Sequence, residues 1–199
     1  MDKLKVCAVA FSKLFNVKYH CILGRKGITR EFTLAFSPYE FHHLCGLIKL
    51  SDMPILRGNR ERVFKNICSG KITYEMISKS NDFNQISDRL AFLSGLEDFM
   101  DSNSIVFSYD KRNSKSSRID AKYLLQNTID DAVVYFFIGN QKDDDTLIGI
   151  SFFLKGLQDY TVAQQRWTLL YKEKISCDTG NAVVQYDRLS KQNPKRIWD

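Results

Sequence analysis

The chain has 199 residues, 44% hydrophobic and 26% charged, enough for one sizeable core and too apolar for a disordered segment. Its 29 basic and 23 acidic residues leave a formal net charge of +6, a surplus that suits a polyanionic partner such as nucleic acid. Apolar runs such as Ala132 to Gly139 are too short to cross a bilayer, and Cys7, Cys21, Cys45, Cys68 and Cys177 form no CxxC pair, so neither a zinc site nor a disulfide framework is indicated.

Leu4, Cys7, Ala8, Phe11, Leu14 and Phe15 recur at helical spacing, so the stretch Val6 to Phe11 reads as a helix and not as a signal sequence. Val17 to Leu23 and Ile28 to Phe36 read as two strands joined by the turn Gly24-Arg25-Lys26-Gly27, a hairpin whose tip carries Arg25, Lys26 and Arg30. Ser37-Pro38 with Glu40 is a capping box that starts a second helix, with Phe41, Leu44, Cys45 and Ile48 inward. Asn59 caps a third helix with the stripe Val63, Phe64 and Ile67. A short helix is expected over Thr73 to Lys79, and a longer one over Phe83 to Met100.

After Asp101 the period changes to that of strands: Ile105 to Tyr109, Ile119 to Leu125, Ala132 to Ile138, Leu147 to Phe153, Trp167 to Ile175 and Ala182 to Leu189. Short polar turns, such as Asp130-Asp131 and Asp178-Thr179-Gly180-Asn181, favour consecutive pairing. The fold expected is therefore α+β. N-terminal helices and a hairpin precede an antiparallel meander, the helices covering one face, with Ala132 to Ile138 central. Residues 1–190 are expected to form one domain, and 191–199 a basic C-terminal tail. With no long apolar helix and free thiols, a cytoplasmic protein without membrane contact is expected.

No Walker, Rossmann, nucleophile-elbow or kinase pattern occurs, and Asp143-Asp144-Asp145 lacks the alternation of a calcium loop. No metal or cofactor is expected. His42 and His43 are adjacent in the second helix, about 100° apart. They are structural side chains or, for the one facing outward, a proton-transfer or phosphate-contacting group. The remaining signal is a basic and aromatic surface in the second half. Alternation along Trp167 to Ile175 puts Thr168, Lys172 and Lys174 on one face and Trp167, Tyr171 and Glu173 on the other. Lys155, Tyr160, Arg166, Tyr186 and Arg188 adjoin them. Cations for phosphates and rings for unstacked bases suit RNA; a charged sheet face with snorkelling lysines reads equally well.

Four segments carry a family resemblance: Arg30-Glu31-Phe32-Thr33-Leu34, Phe41-His42-His43-Leu44-Cys45-Gly46-Leu47, Trp167 to Lys174, and Val184-Gln185-Tyr186-Asp187-Arg188-Leu189. Together they resemble the fourth group of the phage-associated barnase, EndoU, colicin and RelE-like nuclease domains, over about residues 10 to 190. The resemblance implies helices followed by an antiparallel sheet. It also implies metal-independent endoribonuclease activity, in a toxin or a phage host-takeover factor. His43, Lys172, Tyr186 and Arg188 are then candidate catalytic residues. Lys49, Lys155, Tyr160 and Arg166 are candidate substrate contacts. Ile48 stands where the group's usual run has a second histidine. The implied partner is RNA, with a protein antitoxin or a host protein as a further class. The competing reading is a non-catalytic module that binds nucleic acid or a host protein on the same scaffold.

Overall fold

The computed structural model describes residues 1–114, 117–140 and 146–190. The acidic turn Asp143-Asp144-Asp145 and the 191–199 tail lie outside the described residues. Helix α1 (Lys3–Ser12) starts where the Asp2 carboxylate accepts from the Lys5 amide at 2.8 Å. Strands β1 (Val17–Arg25) and β2 (Ile28–Ala35) are joined by Lys26 and Gly27, both at positive φ (47° and 79°). That twist is the one a two-residue hairpin turn needs. The expected capping box at Ser37 and Glu40 opens α2 (Pro38–Leu44), and Asn59 caps α3 (Arg60–Cys68). A one-turn α4 (Tyr74–Ile77) follows.

The long helix expected over Phe83 to Met100 is instead a 3-10 turn and two short helices, α5 (Ser87–Leu93) and α6 (Leu96–Asp101). Ser94 and Gly95 interrupt it; neither favours a helix interior, and the break redirects the Leu96, Phe99 and Met100 side chains into the core.

Strands β3 (Ile105–Ser108), β4 (Tyr123–Ile129), β5 (Ala132–Asn140), β6 (Leu147–Leu154), β7 (Gln165–Ser176) and β8 (Ala182–Asp187) complete the sheet. The order is β1-β2-β6-β5-β4-β3-β7-β8, and β1 also pairs with β7. The simple meander is therefore corrected. Strand β7 returns to β3 and β1 instead of following β6, and the β1–β2 hairpin closes a mixed seven-stranded barrel with β8 flanking it. A closed ring with an odd number of strands must contain a parallel contact. Here it is Leu34 opposite Leu147, between β2 and β6.

Inward side chains of the strands and those of the helices form one core, including Phe11, Phe36, Phe41, Phe99, Phe136 and Phe152. The outer side of β3–β4–β5 carries a second cluster of Phe107, Tyr109, Leu124, Tyr135 and Phe137, with Tyr160 packed on it. Strand β5 is buried on both faces, as expected.

The expected faces of β7 are also corrected. The β1–β7 register shifts between Ile22 and Leu23, which leaves Leu170 as an extra residue. One extra residue flips every later side chain. Trp167 and Lys172, expected on opposite faces, are both buried on the inner side.

Candidate functional site

Strand β1 alternates: Tyr19, Cys21 and Leu23 are buried inward, while Lys18, His20, Ile22 and Gly24 face outward. His20 lies opposite Thr33 on β2 and Glu173 on β7, and Ile22 lies opposite Glu31 and Tyr171. This register brings two carboxylates to one imidazole. His20 Nδ1 is 3.3 Å from Glu173 Oε1, and Nε2 is 3.5 Å from Glu31 Oε2. The Tyr171 hydroxyl donates to the other Glu173 oxygen at 2.7 Å. That hydrogen bond, together with burial and the nearby charge, raises the phenol's pKa. Glu173 is thus held from both sides, and a carboxylate on Nδ1–H fixes the imidazole's tautomer and leaves Nε2 for proton transfer. The side chain of Glu31 is 73% exposed.

The same face continues into a groove of about 330 Å³ between the hairpin tip, β7 and the end of β8. Arg25, Lys26 and Arg188 line it with the hydroxyls of Thr29 and Thr168. Gly24 lets the chain close there, since a Cβ at that position would stand 2.6 Å from Leu170 Cδ1. Cations and hydroxyls without a lining carboxylate make an anion-binding groove.

The residues expected from sequence fall in different places. Arg188 is exposed in this groove. Lys172 is 3% exposed inside the barrel. Its ammonium donates to the carbonyls of Met100, Asp101 and Ser102 at 2.8, 3.0 and 2.6 Å. It thereby caps the C-terminus of α6, and burial lowers its pKa. Beside it Asp101 accepts from Tyr19, Lys174 and Gln185. Burial works to raise the Asp101 carboxyl, and these hydrogen bonds outweigh it, so its pKa ends below the usual range. Tyr186 lies opposite Lys172, half-buried.

Lys155 donates to Asp159 at 2.6 Å, and Asp159 also accepts from Tyr135 and Thr161. The Tyr160 ring packs edge-on against Tyr135, Phe137 and Phe153. Both belong to the loop that covers the outer apolar cluster. Arg166 is exposed opposite Phe107 on β3.

Helix α2 packs on α3 and β6, away from β7 and β8. His42 is buried, its Nε2 bonded to the Leu56 carbonyl at 2.9 Å. His43 sits beside Tyr39 and His42, and burial, then Arg60 and His42, lower its pKa to about 4. It is therefore a neutral imidazole near pH 7. Lys49, on the 3-10 turn Leu47–Lys49, is half-buried, and burial and Arg89 lower its pKa. Among the described residues, no hydrogen bond, ion pair or ring contact joins His43 to Lys172, Tyr186 or Arg188.

His20 was not singled out by sequence. Its signal was an imidazole at an outward strand position between Lys18 and Ile22, and its partner Glu173 is 153 residues away. Among the described residues, no cluster of three or more His, Cys, Asp or Glu side chains is disposed to hold a metal ion. Nor is any helix among them long and apolar enough to cross a membrane.

A family model described as phage-Barnase-EndoU-ColicinE5/D-RelE like nuclease 4 matches residues 3–189. No curated protein matches the chain. No solved structure matches it either.

Proposed function

This chain belongs to the phage-associated Barnase–EndoU–ColicinE5/D–RelE-like nuclease 4 family, and on that premise we propose that it is a metal-independent endoribonuclease acting on the outer face of β1. The observation that carries this reading is His20, oriented by Glu173 and facing the exposed Glu31, beside a groove of three cations. RNA cleavage by 2′-hydroxyl attack needs a proton acceptor, a proton donor and positive charge near the phosphate. Glu31 takes the 2′-hydroxyl proton as the 2′ oxygen bonds to phosphorus. His20 delivers a proton from Nε2 to the 5′ oxygen as the P–O5′ bond breaks. The products are a 2′,3′-cyclic phosphate and a 5′-hydroxyl. Arg25, Lys26 and Arg188 hold neighbouring phosphates. Family membership supports the further reading of a toxin or phage host-takeover role.

The test is incubation of purified protein with total RNA in EDTA. Cleavage should survive chelation, and His20→Ala should lower its rate by about 10² to 10⁴. Intact RNA that is nonetheless tightly bound would replace the enzyme with a non-catalytic binding module.

A further inference from the structure

Outside that pair of proton-transfer groups, some cations of the second half and the hairpin are tied down and others are not. Lys155, Lys172 and Lys174 are engaged: by Asp159, by the three carbonyls ending α6, and by Glu97 with Asp101. Lys18, Lys26 and Arg188 are exposed and carry no ion pair among the described residues. These three lie along one face. Lys26 and Arg188 line the groove at one end of the outer face. Lys18 stands on that same face beyond His20, because the pairing of β1 with β2 runs without a register shift from Lys18 to Arg25.

We propose that the outer face of β1 is a track for a single strand of RNA, with Lys18 holding the backbone on the far side of His20 from the Arg25, Lys26 and Arg188 groove. The inference rests on the ribonuclease reading and adds to it a substrate class and a positioning residue. Lys18 to Gly24 is six residue steps, so the track is ~20 Å long at ~3.3 Å per step. At ~3.4 Å per stacked step that spans about six nucleotides, and fewer if the strand is drawn out. His20 lies inside the span, two residues from Lys18 and four from Gly24. The scissile phosphate therefore has a cationic contact on each side. Gripping both sides fixes the chain while the 2′ oxygen, phosphorus and 5′ oxygen come into line, an alignment a strand free of a duplex reaches readily. Ile22, in the middle of the track, and Ile28, at its groove end, offer apolar contact for bases or riboses.

The test is cleavage of oligouridylates of two to ten nucleotides by the whole protein and by Lys18→Ala and Lys18→Gln. These are exposed substitutions that leave the fold intact. For the unaltered protein kcat/KM should rise with length and level off near six nucleotides. Lys18→Ala should cost about 5- to 10-fold on an octamer and under 2-fold on a dinucleotide. It should also make the slope of log K against log salt shallower by about 0.7, the loss of one single-strand phosphate contact. Length and salt dependence identical in Lys18→Ala and the unaltered protein would overturn the proposal, as would full activity on dinucleotides. If no RNA is cleaved at all, the same series is read by fluorescence anisotropy. Length-dependent binding weakened by Lys18→Ala upholds the track while the nuclease reading falls. Absence of binding at every length removes the track.

Discussion

Replacing Lys172 with methionine separates a structural lysine from a catalytic one. The ammonium donates to three carbonyls at the end of α6 and is almost wholly enclosed. Methionine has nearly the same length and leaves little cavity, so the loss is that of the hydrogen bonds. Each bond from a charged donor is worth about 1.5–3 kcal/mol, but three from one ammonium are not additive, and its desolvation is recovered on removal. Breaking a buried charged interaction costs about 3–5 kcal/mol; with that recovery we expect about 3 kcal/mol. That is a large share of the 5–15 kcal/mol typical of a domain. With a urea slope of about 2 kcal/mol/M, the midpoint should fall by about 1.5 M, followed by far-UV circular dichroism. At low denaturant and temperature, where the variant is folded, RNA cleavage should stay within about 3-fold. A midpoint within 0.3 M of the unaltered protein (about 0.6 kcal/mol at that slope), together with abolished cleavage, would instead make Lys172 a substrate contact.

His43→Ala should likewise leave cleavage within about 3-fold, measured with the same RNA assay, because no contact joins His43 to the outer face. His43 also sets a pH dependence. Its folded pKa of about 4 lies below the ordinary 6.5, so its contribution is complete above about pH 6.5 and is lost as pH falls through 4. After allowance for partial exposure this amounts to about 1–2 kcal/mol, and urea midpoints between pH 7 and 4 should decline less steeply in His43→Gln. Asp159→Ala frees Lys155, Thr161 and Tyr135 together. It should lower Tm by roughly 3–8 °C in calorimetry, with cleavage retained.

Local chemistry was legible in the sequence wherever a few neighbouring residues decide the outcome. The hairpin at Lys26-Gly27, the capping box of Ser37 and Glu40, and the doubly buried β5 follow from turn geometry, capping and continuous apolarity. What escaped depends on which strands meet. Closure of the barrel rests on β7 finding β1, more than 140 residues earlier in the chain, and no turn signal encodes that pairing. The extra residue Leu170 has no compositional mark, yet it moves Lys172 from the surface to the interior. The site was half legible. Arg188 stands in the groove as its position in a basic, aromatic stretch suggested. His20 looked like one strand residue among others until Glu31 and Glu173 arrived from two different strands.

A site built on His20 and Glu31 as proposed uses a 2′-hydroxyl as its nucleophile. The most direct measurement uses an oligodeoxynucleotide carrying one internal ribonucleotide, incubated with the protein in EDTA and read by mass spectrometry. A single cut is expected, immediately 3′ of the ribonucleotide, ending in a 2′,3′-cyclic phosphate and absent in His20→Ala. Cleavage of the all-deoxy strand at a comparable rate, or a cut that persists without His20, would contradict it.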